Sequence, residues 1–182
     1  KSEKILDLID ILAAELGVEI AVSREPKPLG TAGALRHALK LIRSDAVFVA
    51  NGDTLCEVEP AAMLAQHRRR RSLATLALVP AGPRRDGGFV RLDGRGRVLA
   101  FAEREYDAAH SFFNAGFYLF QRRAIERIPV GKKLSLEQDL FPGLVRERLH
   151  GFVIPGPIFD IGTPARLALF RRWLRRATGA RS

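Results

Sequence analysis

The sequence predicts an α/β sandwich built on a mixed sheet, and three observations carry that reading. Helical periodicities alternate with short β-favouring runs through the first half of the chain, as in βαβ units. Two of those runs, "AVFVA" at 46–50 and residues 73–79, are uninterrupted and apolar, which suits strands covered on both faces in a parallel sheet. Later, residues 88–92 and 97–103 flank the Gly-bearing turn "DGRGR" and read as a hairpin, an antiparallel excursion.

The elements follow in order. Ile5, Leu8, Ile9, Leu12 and Leu16 recur at helical spacing, and Gly17 ends that run as a C-cap. Residues 18–23 read as a short strand. The Pro-rich turn "EPKPLGTAG" enters a helix over 31–42, with Leu35, Ala38, Leu39 and Ile42 on one face. The strand at 46–50 leads into "NGD"; a helix over 60–71 and the strand at 73–79 come next. After the hairpin, a strand is expected at 112–120, short helices at 124–128 and 136–148, and a strand at 152–154. "PGPIFDIGTP" then turns into an amphipathic helix over 164–177, with Thr163 and Pro164 as its N-cap and N1 pair. No internal repeat or low-complexity linker interrupts residues 1–182, so one domain is expected.

The 182 residues suffice for one hydrophobic core. Lys and Arg number 30 against 20 Asp and Glu, a formal charge of +10. That surplus suits phosphate-bearing partners without choosing among them, and equally an arginine-rich composition in which Arg replaces Lys on solvated faces. A single cysteine, Cys56, excludes an intrachain disulfide. No apolar run approaches the roughly 20 residues of a membrane span, and Lys1-Ser2-Glu3-Lys4 carries no signal-peptide pattern, so the expected location is cytoplasmic. "HRRRR" at 67–71 reads as the solvated end of a helix, where cations suit the dipole, rather than a nucleic-acid patch. The Arg-rich helix at 164–177 reads as one that packs on the sheet rather than on a membrane. His37, His110 and His150 stand at no ligand spacing, and Cys56 reads as a small buried residue.

Three segments carry candidate chemistry, each where a strand meets a loop. In open α/β sheets, ligands bind beyond the carboxyl ends of the strands. "NGD" places Asp53 at that rim, and "FDIGTP" places Asp160 at a comparable point. The glycines of "PLGTAG" would let backbone N–H groups approach a ligand beside a helix N-terminus. Two Asp converging on a phosphate pocket suit Mg²⁺, a hard ion that takes oxygen ligands and keeps several waters. Each segment alone has a structural reading as a turn or helix entry; their ordered co-occurrence is the specific signal.

The series "PLGTAGAL", "NGD", "GGFV", "FAER", "FFNAGFY" and "FDIGTP" resembles the sugar-1-phosphate nucleotidylyltransferases, over roughly residues 5–174. Within them it looks most like the short bacterial enzymes that make GDP-D-glycero-D-manno-heptose or GDP-mannose. The resemblance implies a Rossmann-like, three-layer nucleotidyltransferase sandwich with a mixed, mainly parallel sheet. It implies transfer of a nucleotidyl group, GMP from GTP, to a sugar 1-phosphate with release of pyrophosphate. The partners would then be a nucleoside triphosphate and a sugar 1-phosphate, with neither nucleic acid nor membrane among them.

Carried over residue by residue, Leu29, Gly30, Thr31 and Asn51 would lie against the nucleotide, and Glu25 would read the base. Guanine offers two adjacent donors that a carboxylate can accept. Asp53 and Asp160 would be catalytic by holding Mg²⁺. Gly88, Glu103, Arg104 and Asn114 would bind the sugar phosphate. Arg104 stands where the family usually has Lys, which alters the phosphate geometry. The family also opens with a strand and a G-x-G-T-R loop that grips the triphosphate, and none precedes Glu25; "GRGR" at 94–97 lies inside the hairpin and leads into no helix. The fold is therefore expected to lack its first strand and Gly-rich loop, with no C-terminal β-helix. The alternative expectation is an inactive, truncated domain that binds nucleotide sugar or serves as a basic interaction module.

Overall fold

A computed structural model describes residues 2–81, 88–102 and 111–177. The chain opens with α1 (Ser2–Leu16), α2 (Gly30–Ala38) and a single 3₁₀ turn (Leu39–Leu41). Then come β1 (Ala46–Ala50), β2 (Thr54–Leu55), α3 (Pro60–Arg69), β3 (Ala74–Pro80), β4 (Phe89–Leu92), β5 (Val98–Ala102) and β6 (Ser111–Gln121). α4 (Arg122–Glu126), a π-helical turn (Leu136–Leu140), α5 (Phe141–Val145), β7 (Leu149–Val153), β8 (Phe159–Asp160) and α6 (Pro164–Ala177) complete it.

The main sheet runs β5-β4-β6-β3-β7, and β1 also pairs with β6. β6 is antiparallel to β1, β3 and β4; β3 and β7 are parallel; β4 and β5 form the expected antiparallel hairpin. Strands β1, β3, β4 and β7 therefore share one direction, and β5 and β6 run against it. β2 and β8 form a separate two-stranded ladder.

The period of two along the central strands sorts side chains into two cores. Leu76 and Leu78 of β3 and Tyr118 and Phe120 of β6 face Leu35 of α2, Ile125 of α4, and Phe141 and Leu144 of α5. Ala77 and Val79 of β3, with Ala115 and Leu119 of β6, face Met63 of α3. Helices thus cover both faces, giving the three layers expected from the family resemblance. The ring of Phe141 stacks on Phe120 and tilts against Tyr118, centroids 6.0 and 5.3 Å away.

Four expectations are corrected. Residues 18–23 join no strand ladder among the described residues, and Val18, Ile20 and Val22 stay exposed; β-favouring residues form a strand only where a partner edge exists. β1 is not covered on both faces: it pairs with β6 alone among the described strands, and Phe48 remains 39% exposed. α6 buries none of its residues and touches β8 through aromatic rings rather than packing on the main sheet. In "HRRRR", Arg68 and Arg69 are solvated but His67 is buried, bonded through Nδ1 to the Thr75 hydroxyl at 2.8 Å.

No helix among the described residues is long and apolar enough to cross a membrane.

Candidate active site

The β2/β8 ladder is what brings "NGD" to "FDIGTP". Thr54 pairs with Asp160 and Leu55 with Phe159, and the Ile161 N–H donates to the Asp53 carbonyl at 2.8 Å. The carboxylates converge at Gly162. A Cβ built there would lie 2.7 Å from Asp53 Oδ2 and 3.2 Å from Asp160 Oδ1. The two oxygens are thus no farther apart than the sum of those distances, and glycine keeps the space between them open. A cradle that a single methyl group would fill fits a small hard cation. Among the described residues no cluster of three or more His, Cys, Asp or Glu could hold a metal. The donor set is therefore a carboxylate pair, which suits an ion that retains much of its water.

Asp160 is already engaged on both oxygens. Oδ1 accepts the Gly162 N–H at 2.9 Å, and Oδ2 takes the guanidinium of Arg166. Among the described residues, the Asp53 carboxylate receives a long contact, 3.5 Å, from the Thr54 hydroxyl to its Oδ1.

An open cleft of about 410 Å³ adjoins the pair, lined by Asn51, Thr54, Asn114, Gly116, Asp160 and Arg166 among others. β6 is shaped for it. Between the pairs Leu76↔Tyr118 and Leu78↔Asn114, β3 advances two residues and β6 four, so β6 bulges. Bulges re-aim side chains beside sites. Gly116 sits in the bulge at φ +68, and a Cβ there would meet Asn51 Nδ2 at 2.8 Å. Asn51 lies over this glycine, and its N–H donates to the Gly116 carbonyl at 2.8 Å. Asn114 Nδ2 donates to the Tyr118 hydroxyl at 2.9 Å, its Oδ1 accepts the Gly116 N–H at 3.1 Å, and its own N–H reaches the Gly88 carbonyl at 3.1 Å. Behind it, the Tyr118 hydroxyl donates to Glu137 Oε1 at 3.1 Å. Burial and the Glu137 charge push the Tyr118 phenol well above its ordinary range, so it stays a neutral donor. Cys56 is half-buried and its thiol is pushed up by burial, which agrees with a packing role.

The structure therefore gathers Asn51, Asp53, Gly88, Asn114 and Asp160. It sets Glu25, Leu29, Gly30 and Thr31 apart, along a shallow hollow of their own. Glu103 and Arg104 lie outside the described residues.

The Gly30 corner has a reason for its glycines that the sequence reading did not contain. A Cβ on Gly30 would meet the Leu134 carbonyl oxygen at 2.5 Å, and one on Gly33 the Lys132 carbonyl oxygen at 2.3 Å. Gly30 is also at φ +70. The glycines admit the 132–134 backbone, and the same corner lines a shallow hollow. The helix N-terminus is not open to an anion at Ala32 and Gly33 either, because both N–H groups donate to the Leu134 carbonyl, at 2.9 and 3.3 Å. The Thr31 hydroxyl accepts the Leu136 N–H at 2.8 Å. Leu29, expected against the nucleotide, has a buried side chain; its N–H goes to Glu25 Oε2 at 2.7 Å and its carbonyl accepts the Leu134 N–H at 2.9 Å. Its role is to tie the corner together.

Arg166 and Gly162 were not singled out by the sequence reading. A legible signal existed for Arg166: it falls in the first turn after the Thr163-Pro164 cap, where the helix dipole disfavours a cation. The cap itself forms as expected, with Thr163 Oγ1 accepting the Arg166 N–H at 3.3 Å.

Comparison with known proteins agrees with this architecture. The family model described as "Nucleotidyl transferase" matches residues 3–169. Over 152 residues the chain is 38% identical to a mannose-1-phosphate guanylyltransferase of Mycobacterium tuberculosis, covering 82% of this chain and 42% of that protein. It is 33% identical to the D-glycero-alpha-D-manno-heptose 1-phosphate guanylyltransferase of Aneurinibacillus thermoaerophilus, covering 81% of this chain and 64% of the relative. The chain spans about half the length of the curated relatives it matches. Among solved structures, HddC from Yersinia pseudotuberculosis complexed with GMP-PN superposes with a TM-score of 0.74 at 26% identity, over 93% of this chain and 72% of that one. Motif order, three-layer architecture and these matches lead to one conclusion: the chain belongs to the nucleotidyl transferase family.

Proposed function

We propose that the site serves transfer of GMP from GTP to a mannose- or heptose-type sugar 1-phosphate, with release of pyrophosphate, in nucleotide-sugar synthesis. The observation that carries the reading is the convergence of Asp53 and Asp160 on the space left by Gly162, beside the cleft lined by Asn51 and Asn114. The similarity to a mannose-1-phosphate guanylyltransferase and to a D-glycero-alpha-D-manno-heptose 1-phosphate guanylyltransferase supports the nucleotide and the sugar class.

In this reading Asp53 and Asp160 hold Mg²⁺, which when bound screens and aligns the reacting phosphates. Asn114, fixed by Tyr118 and Gly116, presents its remaining hydrogen-bonding capacity to the sugar beside Gly88. Asn51, braced on Gly116, lines the nucleotide's path to the metal pair. Glu25, its Oε2 held by the Leu29 N–H, offers its carboxylate to the two adjacent donors of guanine, next to Gly30 and Thr31. The attacking sugar phosphate is already ionised near neutral pH, so the chain needs to supply positioning rather than a general base.

The test measures GDP-mannose binding against UDP-glucose, and in parallel pyrophosphate release from GTP plus mannose 1-phosphate with Mg²⁺. A guanine preference that shrinks in Glu25→Gln is expected. So is release that falls by about a hundred-fold or more in Asp53→Asn, the scale of losing one charge-stabilising group. Binding without release would favour the inactive binding domain. Neither binding nor release would sink the reading.

A further inference from the structure

Arg166 stands in a place that needs an explanation. It lies in the first turn of α6, the positive end of the helix dipole, with no acidic residue in that turn. Its guanidinium reaches back six residues to Asp160 Oδ2, and the same side chain lines the cleft with Asn51 and Asn114. Asp160 in turn stands against Asp53 across the Gly162 space, with no other cation partnered to either carboxylate among the described residues. A pair of carboxylates held this close repels itself, and one positive charge beside them lowers that repulsion.

We propose that Arg166 is the pair's resident counter-charge: it holds Asp160 while no divalent ion is bound, and engages a phosphate of the bound nucleotide once an ion takes that carboxylate. The inference rests on the metal reading above. The chemistry matches each stage. A guanidinium binds carboxylate and phosphate with the same donor fork and never deprotonates. Its backbone is held on α6 by the Thr163 cap, so the exchange is a movement of the side chain. Arg166 thereby competes with the ion in the empty protein and assists the phosphate in the loaded one. Those opposite signs separate this role from that of a merely structural ion pair.

The experiment titrates Mn²⁺ into the substrate-free chain, read by electron paramagnetic resonance of free Mn²⁺, and then GDP at saturating Mn²⁺ by calorimetry. The variants are Arg166→Ala, Arg166→Lys and Asp53→Asn, with thermal unfolding as the control for folding. Arg166→Ala should bind Mn²⁺ about ten-fold tighter, because a neighbouring positive charge is gone, and GDP about ten-fold weaker, because a charge-assisted contact is lost. Arg166→Lys should stay near the wild type for Mn²⁺ and fall between the two for GDP. Unchanged or weaker Mn²⁺ binding in Arg166→Ala, with binding still lost in Asp53→Asn, overturns the inference alone. No Mn²⁺ binding by the wild type, or equal binding by Asp53→Asn, overturns the metal reading and the inference with it.

Discussion

The Asp53/Asp160 cleft and the Gly30 corner carry similar sequence signals: short motifs at element ends that contain Gly and Thr. The fold uses them differently. In the cleft, glycine leaves a space bounded by side-chain carboxylates, which a ligand can enter. At the corner, glycine leaves a space that the 132–134 backbone already fills, and the hydroxyl of Thr31 is taken by Leu136. A glycine is a ligand-site signal only when what it admits is not another stretch of the same chain. The corner still matters to the cleft. Leu134 and Thr31 fix the segment that leads to Glu137, and Glu137 holds Tyr118, which orients Asn114.

Paired glycine substitutions give the largest expected contrast. In Gly33→Ala the new Cβ lands 2.3 Å from the backbone oxygen of Lys132, a main-chain atom and not the end of a flexible side chain. A cost of about 3 kcal/mol is expected, seen as a fall in Tm of roughly 10 °C for a chain of this size. In Gly162→Ala the Cβ meets the end of the Asp53 side chain, which can rotate away. Its Tm should change little, while Mn²⁺ affinity should fall about ten-fold as the carboxylates separate. A stable Gly33→Ala, or a Gly162→Ala that keeps its Mn²⁺ affinity, would erase the distinction between the two regions.

A smaller effect sharpens the same contrast. Thr31→Val removes the acceptor of the Leu136 N–H, which leads into the π-helical turn. Leaving that donor unpaired should cost about 1 kcal/mol, and Thr31→Ser should restore it. Weaker guanine-nucleotide binding with Tm unchanged would instead make the Thr31 hydroxyl a nucleotide contact rather than a structural one.

The contrast also marks how far the sequence could be read. α2, α3, β3, β6 and the β4/β5 hairpin follow from periodicity and turn residues, because each is specified by its own stretch of chain. So do Gly17, at φ +63 after α1, and the Thr163 cap. Asp53 and Asp160 were legible as a pair from motif order, although their meeting depends on a two-residue ladder with no signal of its own. What was not legible depends on non-neighbours. Residues 18–23 find no partner strand among the described residues, and the purpose of Gly33 rests on Lys132. The break of 136–148 ahead of α5 did have a local signal, Pro142 at the start of that helix. His67 was read with its basic neighbours, yet Thr75 and Gln121 decide its environment.

His67 supplies an effect of a different kind, on pH dependence, and it guards the comparison against a misreading. A loss of activity on acidification would be taken as a property of the cleft unless the fold itself is accounted for. The His67 ring is buried beneath α3, with Nδ1 at 2.8 Å from the Thr75 hydroxyl and Nε2 at 3.2 Å from Gln121 Nε2. With Gln121 donating its amide N–H to Nε2, the neutral ring carries its proton on Nδ1, and a second proton has no acceptor there. Burial first, then the neighbouring His150 and Arg68, lower its pKa from 6.5 to about 4. The unfolded chain therefore binds a proton at this site over a range in which the folded chain does not. Stability from the neutral ring is complete above pH 6.5, is lost progressively as pH falls toward about 4, and changes no further below that. His150, also lowered chiefly by burial, adds in the same direction. Tm measured between pH 8 and pH 4.5 should decline below about 6.5 in the wild type and less steeply in His67→Gln, whose amide does not titrate in this range. Parallel profiles for the two proteins would show that His67 has no part in acid sensitivity, and the decline would then pass to His150.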